Sequence, residues 1–467
     1  SHTSSHFLFF IFHLIMSLAI IILAAGQGTR MKSSLPKILH SLAGRSLLEH
    51  VYIAAKRLDV RDIHVVYGFG GDQILEQLSH LEVSWAEQAE QLGTGHAVAQ
   101  AIDGVVDEDD ILILYGDVPL ITHETLTRLV NAAKDTGFSL LTANLDDPHG
   151  YGRIIRDDAG AIISIVEEKD ANEEQRAVCE INTGMMTVQG SQLKRWLANL
   201  SNENAQGEYY LTDVIQMATN EGVVVNSIQA DSVVEVQGIN DRQQLSETER
   251  HYQLVQAHHL MKQGVTLMDP RRFDLRGDLE TGKDVIIDVN TIIEGSVSIG
   301  DNVSIGPNCH IKDADIGDNV IILSNCVIDN AVIGKRSKIG PFSRLRPETR
   351  LAADVHIGNF VEVKKSEIDQ DSKVNHLSYI GDSKIGKKTN IGAGTITCNY
   401  DGAFKHLTVI GDDVFVGSDT QLVAPVTIAN GVTIGAGTTV TKDVAENLLT
   451  LSRTEQKTIE GWKRPKK

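Results

Sequence analysis

A six-residue repeat of aliphatic side chains runs through the second half of this chain and limits its fold more than any other feature. Neither the 3.6-residue period of a helix nor the two-residue period of a strand gives this spacing. Glycine often follows the aliphatic residue, as in Ile299-Gly300 and Ile434-Gly435. The repeat predicts a parallel β-helix with one aliphatic residue per face stacked inside. The repeated positions are Ile287, Ile293, Ile299, Ile305 and Ile311, then Ile333, Ile339, Leu345, Leu351, Ile357 and Val363, then Ile410, Val416, Leu422, Ile428, Ile434 and Val440, with single-residue phase shifts beside the middle run.

The same repeat resembles that of the hexapeptide-repeat acyltransferases, which implies a left-handed, triangular and usually trimeric coil. A solenoid can be purely structural, so any chemistry must be argued from what interrupts the repeat. Cys398 to Val409 breaks the register and predicts a projecting loop, while Phe342 to Pro347 and Lys364-Lys365 place cations along the wall. His376 stands near these cations in the sequence, and an imidazole accepts a proton from an attacking amine near neutral pH.

The first half of the chain opens on an apolar run, Leu18 to Leu23, that leads into the turn Gly26-Gln27-Gly28. The run predicts a buried parallel strand, and the two glycines let backbone N–H groups approach an anion. We expect a helix after the turn to add its positive end, and Arg30 and Lys37 to supply charge for phosphates. The spacing fits neither a P-loop nor a dinucleotide-binding fingerprint.

Strand-like and helix-like segments alternate from residue 18 to about residue 240, which predicts a doubly wound α/β domain with ligands beyond the carboxyl ends of its strands. The predicted strands include Ile63–Tyr67, Ile111–Tyr115 and Ser139–Asn144, and the predicted helices include Leu47–Leu58 and His123–Ala133.

Two strand ends carry polar residues suited to a nucleotide. Gln88 to His96 offers hydrogen bonds for a base edge, although the same stretch equally fits a capped helix start. Asp117 follows an apolar strand that ends in Tyr115-Gly116, and a carboxylate there can hold Mg²⁺ against phosphate oxygens.

The glycine turn with Pro36-Lys37, together with later motifs, resembles the sugar-nucleotide pyrophosphorylases. The later motifs are Gly150 to Arg153, Ile165 to Lys169, Glu180 to Gly184, Tyr209 to Asp213 and Val236 to Asn240. The resemblance implies that Arg30 and Lys37 stabilise the triphosphate, that Asp117 and Asn240 hold one Mg²⁺, and that uracil and sugar bind nearby. It implies uracil contacts from Gln88, Gly93 and Thr94, sugar contacts from Gly152, Glu167 and Asn182, and further site residues Leu23, Ala24, Ala25, Gly26, Tyr115 and Gly116.

From residue 17 onward the chain resembles the bacterial bifunctional uridyltransferase–acetyltransferases. That resemblance implies acetyl transfer from acetyl-CoA to glucosamine 1-phosphate, then uridyl transfer from UTP to N-acetylglucosamine 1-phosphate, for peptidoglycan and lipopolysaccharide precursors. It implies His376 as general base and the coenzyme partly held by a neighbouring subunit of a homotrimer. The other implied acetyltransferase residues are Arg346, Lys364, Tyr379, Asn390, Ala393, Asn399, Tyr400, Lys405, Ser418, Ala436 and Arg453.

We expect residues 17–240 to form the uridyltransferase domain, 241–265 a linker helix, and 266–467 the β-helix with a C-terminal tail. Asp241 to Lys262 is charged and lacks glycine and proline, as a rigid spacer helix would. His258-His259 suggests a metal site only weakly, because adjacent residues face different sides of a helix.

The first 16 residues are expected to be a leader outside the fold. Phe7 to Ala25 is apolar and about long enough to cross a bilayer, roughly 20 residues being needed. The strand that feeds the glycine turn uses the same residues, however, and one segment cannot lie in lipid and in a sheet.

The net charge of −19 argues against nucleic acid as a partner. The four cysteines are widely spaced and predict reduced, mostly buried thiols of a cytoplasmic protein rather than disulfides or zinc ligands. We expect no membrane partner, since the apolar run near the N-terminus belongs to the sheet. Two alternatives remain at this stage: a nucleotidyltransferase whose β-helix only trimerises it, and a membrane-anchored binding protein.

Overall fold

The computed structural model describes residues 17–204 and 206–465, and residues 1–16 of the expected leader lie outside them. Contacts divide the chain into two compact units between Thr248 and Glu249, inside the predicted linker. No helix among the described residues is long and apolar enough to span a bilayer.

The first unit is built on a nine-stranded mixed sheet, which confirms the Rossmann-like α/β fold expected from the alternating segments. Its strands are β1 Leu18–Ala24, β2 Ser41–Leu42, β3 Arg45–Ser46, β4 Asp62–Tyr67, β5 Ser84–Glu87, β6 Asp110–Tyr115, β7 Phe138–Asn144, β8 Arg153–Arg156, β9 Ile162–Val166, β10 Glu180–Gln189 and β11 Asn226–Gln229, of which β2 and β3 form a separate hairpin. Its helices are α1 Leu47–Lys56, α2 Gly71–Gln77, α3 Thr94–Ile102, α4 His123–Ala133, α5 Glu173–Arg176, α6 Gly190–Leu197 and α7 Asp213–Asn220.

Strand β1 lies at the middle of the sheet, parallel to both β4 and β6. All seven of its residues are buried, Ile20 and Ile22 in the core on one face and Ile21 and Leu23 in the core on the other. A strand covered on both faces needs a continuous apolar run, which explains why Leu18 to Leu23 has no polar alternation.

The prediction of a helix after the glycine turn is wrong. Thr29–Met31 forms a single 3₁₀ turn that ends because Lys32 takes a left-handed conformation with φ 48°. A second short 3₁₀ turn, Lys37–Leu39, follows Pro36. The turn therefore offers backbone N–H groups and side-chain charge, without the end of a long helix.

Helix α8, Arg242–Lys262, confirms the long helix predicted after residue 240. Within the second unit its residues Ala257 and Leu260 pack into the core of the β-helix, and the buried Gln253 donates to the Leu275 carbonyl oxygen at 3.0 Å. The helix therefore covers the first coil of the β-helix.

The second unit is a parallel β-helix, as the six-residue repeat predicted, and every repeated aliphatic position is buried. One face consists of Thr266–Leu267, Ile286–Ile287, Ser304–Ile305, Ile321–Ile322, Lys338–Ile339, His356–Asn359, Lys373–His376, Asn390–Ile391, Phe415–Val416, Thr433–Ile434 and Leu449–Thr450. The remaining strands are Phe273–Thr281, Thr291–Ile299, His310–Lys312, Asp315–Ile316, Val327–Asp329, Ala331–Ile333, Arg344–Leu345, Thr349–Leu351, Glu362–Lys364, Glu367–Ile368, Tyr379–Gly381, Ser383–Ile385, Ile396–Cys398, Thr408–Ile410, Gln421–Val423, Val426–Ile428 and Thr439–Val440.

The phase shifts in the repeat come from one turn of the coil, here called the loop corner. It carries one left-handed residue per coil: Asp313, Asn330, Glu348, Lys365 and Asp382. Four of these five coils have one residue fewer at this corner than the coil of Glu348, so the coils from Ile286 to Asn390 pair at spacings of 18 or 17 residues along the chain. The segment between Cys398 and Thr408 also leaves the coil here as the predicted projecting loop.

A second turn, here called the aromatic corner, also holds one left-handed residue per coil. Asn308 and Asn325 occupy it in early coils, as expected for a residue type that tolerates positive φ. Phe342, Phe360 and Leu377 follow in the next three coils and are exposed, with the two phenylalanine rings stacked 5.3 Å apart.

The thiols are only partly as predicted. All four cysteines are unpaired, and Cys309 and Cys326 are buried in successive coils. Cys398 is half-buried, however, and Cys179 is exposed because it lies in the connection just before β10 rather than inside the sheet.

Candidate functional site

Lys37 lies over the glycine turn at the end of β1. Gly28 has φ 61°, and a Cβ atom placed on it would come within 2.7 Å of the Lys37 Cβ. The absence of a side chain at Gly28 therefore lets the lysine pack against the turn. Arg30, in the 3₁₀ turn, is exposed to solvent.

The Lys37 ammonium joins the two residues predicted to bind a metal. Its Nζ atom lies 2.5 Å from Asp117 Oδ2 and 3.1 Å from Asn240 Oδ1. The backbone brings these residues together, because Ile239 N–H donates to the Asp117 carbonyl oxygen at 2.9 Å. The Asn240 N–H in turn donates to Gln244 Oε1 at 2.7 Å. Asp117 and Asn240 thus direct hard oxygen donors toward one cation, the donor type that Mg²⁺ prefers.

A cleft of about 290 Å³ opens beside this group. Of the predicted uridyl-site residues, it is lined by Leu23, Ala24, Ala25, Gly26, Lys37, Gln88, Gly93, Thr94, Tyr115 and Asp117. Strand ends β1 and β6 and the start of α3 therefore meet at one opening, as expected for the carboxyl edge of a parallel sheet. Ile38, Gln91, Ala97 and Glu208 also line it.

The stretch from Gln88 to Thr94 is both a helix start and a wall of the cleft. Helix α3 begins at Thr94, preceded by Gly93 with φ 108°, so the helix start of the alternative interpretation is present, although no side chain caps it. Gln88 is buried and donates through Nε2 to the Gly93 carbonyl oxygen at 3.1 Å. Gln91, absent from the predicted set, donates to the Ala25 carbonyl oxygen at 2.6 Å and ties this wall to the glycine turn.

The three predicted sugar-binding residues are brought together beside Tyr115. Asn182 N–H donates to the Gly152 carbonyl oxygen at 2.8 Å, and a Cβ on Gly152 would lie 3.3 Å from Glu167 Oε1. Burial raises the pKa of the Glu167 carboxyl, although a hydrogen bond from Thr212 opposes this.

Gly184 connects the sugar-binding residues to the nucleotide cleft. It has φ 84°, and a Cβ atom there would come within 2.5 Å of the Tyr115 ring. Its N–H donates to Asn182 Oδ1 at 2.9 Å. A Cβ atom at Gly116 would meet Leu48, Ala24 and Ile38.

In the second unit, three predicted cations form a cluster, here called the basic cluster: Arg346, Lys364 and Lys405. Arg346 Nη1 donates to Glu362 Oε1 at 2.8 Å. The neighbouring Lys405 ammonium is the main cause that lowers the pKa of Lys364, and burial adds to it. Neighbouring like charges repel each other unless an anion binds between them, so the cluster is suited to a phosphate.

Three more residues of the predicted acetyltransferase site border the basic cluster. Asn399 is buried, and its Nδ2 lies 3.4 Å from Tyr379 Oη. Tyr400 pairs with Lys405 across the base of the projecting loop. Asp382, which sequence reasoning missed, contacts this group as well, because Asn399 Nδ2 donates to its Oδ2 at 2.5 Å.

The remaining predicted residues follow the aromatic corner along later coils. The exposed His376 accepts at its carbonyl oxygen from Gly394 N–H at 3.3 Å, and Ala393 accepts from Asp419 N–H at 2.7 Å. Ser418 accepts from Gly437 N–H at 2.8 Å, and Arg453 donates to the Ala436 carbonyl oxygen at 3.3 Å. Asn390 lies in the same coil as Ala393 and pairs with Lys373.

Lys364 and Lys405 belong to the loop corner of the β-helix, whereas His376 adjoins the aromatic corner. Within residues 17–204 and 206–465, no side-chain hydrogen bond or ion pair joins His376 to Arg346, Lys364 or Lys405. The described residues also contain no group of three His, Cys, Asp or Glu side chains that could bind a metal. The pair His258-His259 therefore belongs to no such group.

Comparison with known proteins finds matching families for both units. Residues 20–183 match the MobA-like NTP transferase domain, residues 275–359 the GMPPB C-terminal domain, and residues 407–442 the six-repeat bacterial transferase hexapeptide. The chain is 58% identical to the bifunctional protein GlmU of Methylococcus capsulatus, over 97% of this chain and 98% of that protein. It is 54% identical to the bifunctional protein GlmU of Marinobacter nauticus, over 96% and 99% of the two chains. The chain therefore belongs to the GlmU family of bifunctional proteins.

Proposed function

We infer that this chain makes UDP-N-acetylglucosamine in two steps, one in each unit. The β-helix transfers acetyl from acetyl-CoA to glucosamine 1-phosphate, and the α/β unit joins the product to the uridylyl group of UTP, releasing pyrophosphate. Family membership over nearly the whole chain carries this assignment.

For uridyl transfer, we assign the cleft at the end of β1 to the nucleotide and Gly152, Glu167 and Asn182 to the sugar. An oxygen of the sugar phosphate attacks the α-phosphorus of UTP, and pyrophosphate leaves. This reaction needs alignment and charge neutralisation rather than a protein nucleophile. Lys37, which already contacts Asp117 and Asn240, and the exposed Arg30 are the cations assigned to the triphosphate.

Asp117 and Asn240 are the residues we assign to Mg²⁺. The support is their shared approach to the Lys37 ammonium, which shows that both oxygens can serve one cation. Bound there, the ion supplies positive charge to phosphate oxygens. Lys37 would then turn from Asp117 toward the phosphates.

For acetyl transfer, we assign His376 as the general base. It accepts a proton from the amine of glucosamine 1-phosphate as the nitrogen attacks the thioester carbonyl, and coenzyme A leaves as the thiol after protonation. We assign the basic cluster to the sugar phosphate and the column from Ala393 to Arg453 to the coenzyme.

We further propose that the β-helix forms a homotrimer, in which a neighbouring copy completes the acetyltransferase site. The placement of His376 and the basic cluster at different corners of the coil supports this, as does the exposed Phe342–Phe360 stack. The four unpaired cysteines and the nucleotide substrate favour the cytoplasm as its location.

A His376→Ala variant tests the division of labour. Supplied with glucosamine 1-phosphate and acetyl-CoA, it should lose acetyl transfer by about 10²–10⁴-fold, the usual contribution of a general base. Supplied with UTP and N-acetylglucosamine 1-phosphate, the variant should carry out uridyl transfer at the wild-type rate. A chelator should abolish this uridyl transfer. Full acetyl transfer by the variant would overturn the role of His376. Absence of acetyl transfer in the wild type would favour the alternative in which the β-helix is purely structural.

A further inference from the structure

Asp382 differs from every earlier residue at the loop corner of the β-helix. Asp313, Asn330, Glu348 and Lys365 are exposed, whereas Asp382 is only 8% exposed. It shares their left-handed backbone, with φ 47°, which aspartate tolerates. A buried carboxylate is costly without partners, so its surroundings must supply them.

Asp382 contacts both ends of the projecting loop, residues 399–407. At the first end, Asn399 Nδ2 donates to Asp382 Oδ2 at 2.5 Å. At the second, Thr408 N–H donates to the Asp382 carbonyl oxygen at 3.1 Å. One residue of the coil thus fixes where the loop leaves and where it returns.

Asp382 also balances the basic cluster. Its Oδ2 lies 3.9 Å from Lys364 Nζ, while its backbone N–H donates to the Lys364 carbonyl oxygen at 3.1 Å. The charged groups that act on Lys364 are Lys405 and Arg346, which lower its pKa, and Asp382, which raises it. Glu362 is already paired with Arg346, so Asp382 supplies the opposing charge at Lys364.

We propose that Asp382 is a positioning residue for acetyl transfer, which holds the projecting loop through Asn399 and keeps Lys364 and Lys405 together to receive the phosphate of glucosamine 1-phosphate. This inference rests on the proposed function, because it presumes that the basic cluster binds that phosphate. Nothing in it requires Asp382 to contact the substrate.

The test is an Asp382→Asn variant of the full chain, assayed for acetyl transfer at varied glucosamine 1-phosphate. Loss of a residue that orients a metal ligand costs about 10–100-fold, and we expect the KM for the sugar phosphate to rise by a similar factor. The KM for acetyl-CoA and the uridyl-transfer rate should stay at wild-type values. An unchanged uridyl-transfer rate shows that the variant was purified in an active form.

A pH profile separates positioning from simple loss of structure. Without the Asp382 carboxylate, Lys364 retains only its cationic neighbours and loses its proton at a lower pH. The alkaline fall of kcat/KM for glucosamine 1-phosphate should therefore move to lower pH in Asp382→Asn. An unmoved profile with an unmoved KM overturns the inference.

Two further variants complete the test. Asp371→Asn removes an exposed carboxylate from a left-handed turn at another corner and should behave as wild type. Asn399→Ala should raise the same KM, and Asp382→Asn should add little to it, because coupled partners are not additive. Fully additive effects would refute action through Asn399. If the wild type itself fails to acetylate glucosamine 1-phosphate, the proposed function fails instead.

Discussion

At the scale of single residues, the uridyl site depends on how few side chains meet at Asp117. The Asp117 carboxylate contacts the Lys37 ammonium, which also reaches Asn240, and the Asp117 carbonyl oxygen accepts from Ile239 N–H. The Asp117 side chain therefore orients the lysine, while its backbone carbonyl oxygen fixes the segment before α8 that carries Asn240.

Asp117→Ala should consequently lower uridyl transfer by at least about 100-fold, since loss of a residue that merely orients a metal ligand costs about 10–100-fold. Acetyl transfer should not change, because the two units have separate cores. Titration of the purified variant with Mn²⁺ should also show weaker binding in the presence of UTP. Equal loss of both activities would contradict the independence of the two sites.

The raised pKa of Glu167 predicts a pH dependence in the same unit. Because burial favours the neutral carboxyl, Glu167 takes up a proton at a higher pH than an ordinary glutamate does. A protonated carboxyl accepts sugar hydroxyls less well, so the KM for N-acetylglucosamine 1-phosphate should rise as the pH falls through that raised pKa. Measurement of this KM from neutral pH down to the ordinary glutamate pKa of about 4.3 checks the prediction.

Glu167→Gln is the matched variant for that experiment. Its KM should be high at every pH and nearly independent of pH, because glutamine does not titrate. An unchanged acid limb in this variant would show that another group titrates.

At the scale of elements, glycines with positive φ decide how close two segments approach. Gly184 in β10 lies against the Tyr115 ring at the end of β6 and has φ 84°. Any side chain there must be accommodated by moving the tyrosine, which lines the nucleotide cleft.

Gly184→Ala should therefore destabilise the first unit and impair uridyl transfer. The left-handed backbone alone costs alanine about 1–2 kcal/mol, before the contact with Tyr115 is counted. Thermal unfolding followed by circular dichroism measures the first effect, and the UTP KM measures the second. Gly222→Ala, at a similar φ of 79° but with open space around it, separates backbone strain from the Tyr115 contact.

Elements with a strong period could be predicted from the sequence, and those set by a single backbone angle could not. Helix α4 has the predicted bounds because its apolar residues recur at three- and four-residue spacings along it. A 3₁₀ turn follows Gly28 in place of the predicted helix because Lys32 adopts φ 48°. A lysine in the sequence does not indicate such a left-handed conformation. Asp382 was missed for a similar reason, since its importance comes from a loop whose two ends, Asn399 and Thr408, meet only in the folded coil.

At the scale of the whole molecule, two left-handed positions along the aromatic corner hold phenylalanine and a third holds leucine. Placing large apolar side chains at this strained angle and leaving them exposed is costly for an isolated chain. The cost is offset if another copy covers them.

Replacing Phe342 and Phe360 together with asparagine should reduce self-association without lowering the stability of the single chain. Asparagine tolerates positive φ, as Asn308 and Asn325 do at the same corner. Size-exclusion chromatography with light scattering gives the mass, and acetyl transfer should fall with trimer content while uridyl transfer persists. Phe69→Asn removes an exposed phenylalanine from the first unit and serves as the control. An unchanged mass in the double variant would contradict a contact between copies at this corner.

The β-helix is closed at one end and open at the other. Helix α8 buries Ala257 and Leu260 in its first coils, whereas Leu448, Leu449 and Leu451 at its last coil are exposed. Each coil bonds only to its neighbours, so protection of backbone amides from deuterium in the isolated chain should fade step by step toward the C-terminus. The coenzyme positions proposed at Ser418, Ala436 and Arg453 lie in these last coils, so coenzyme bound there should raise the protection of backbone amides at this end.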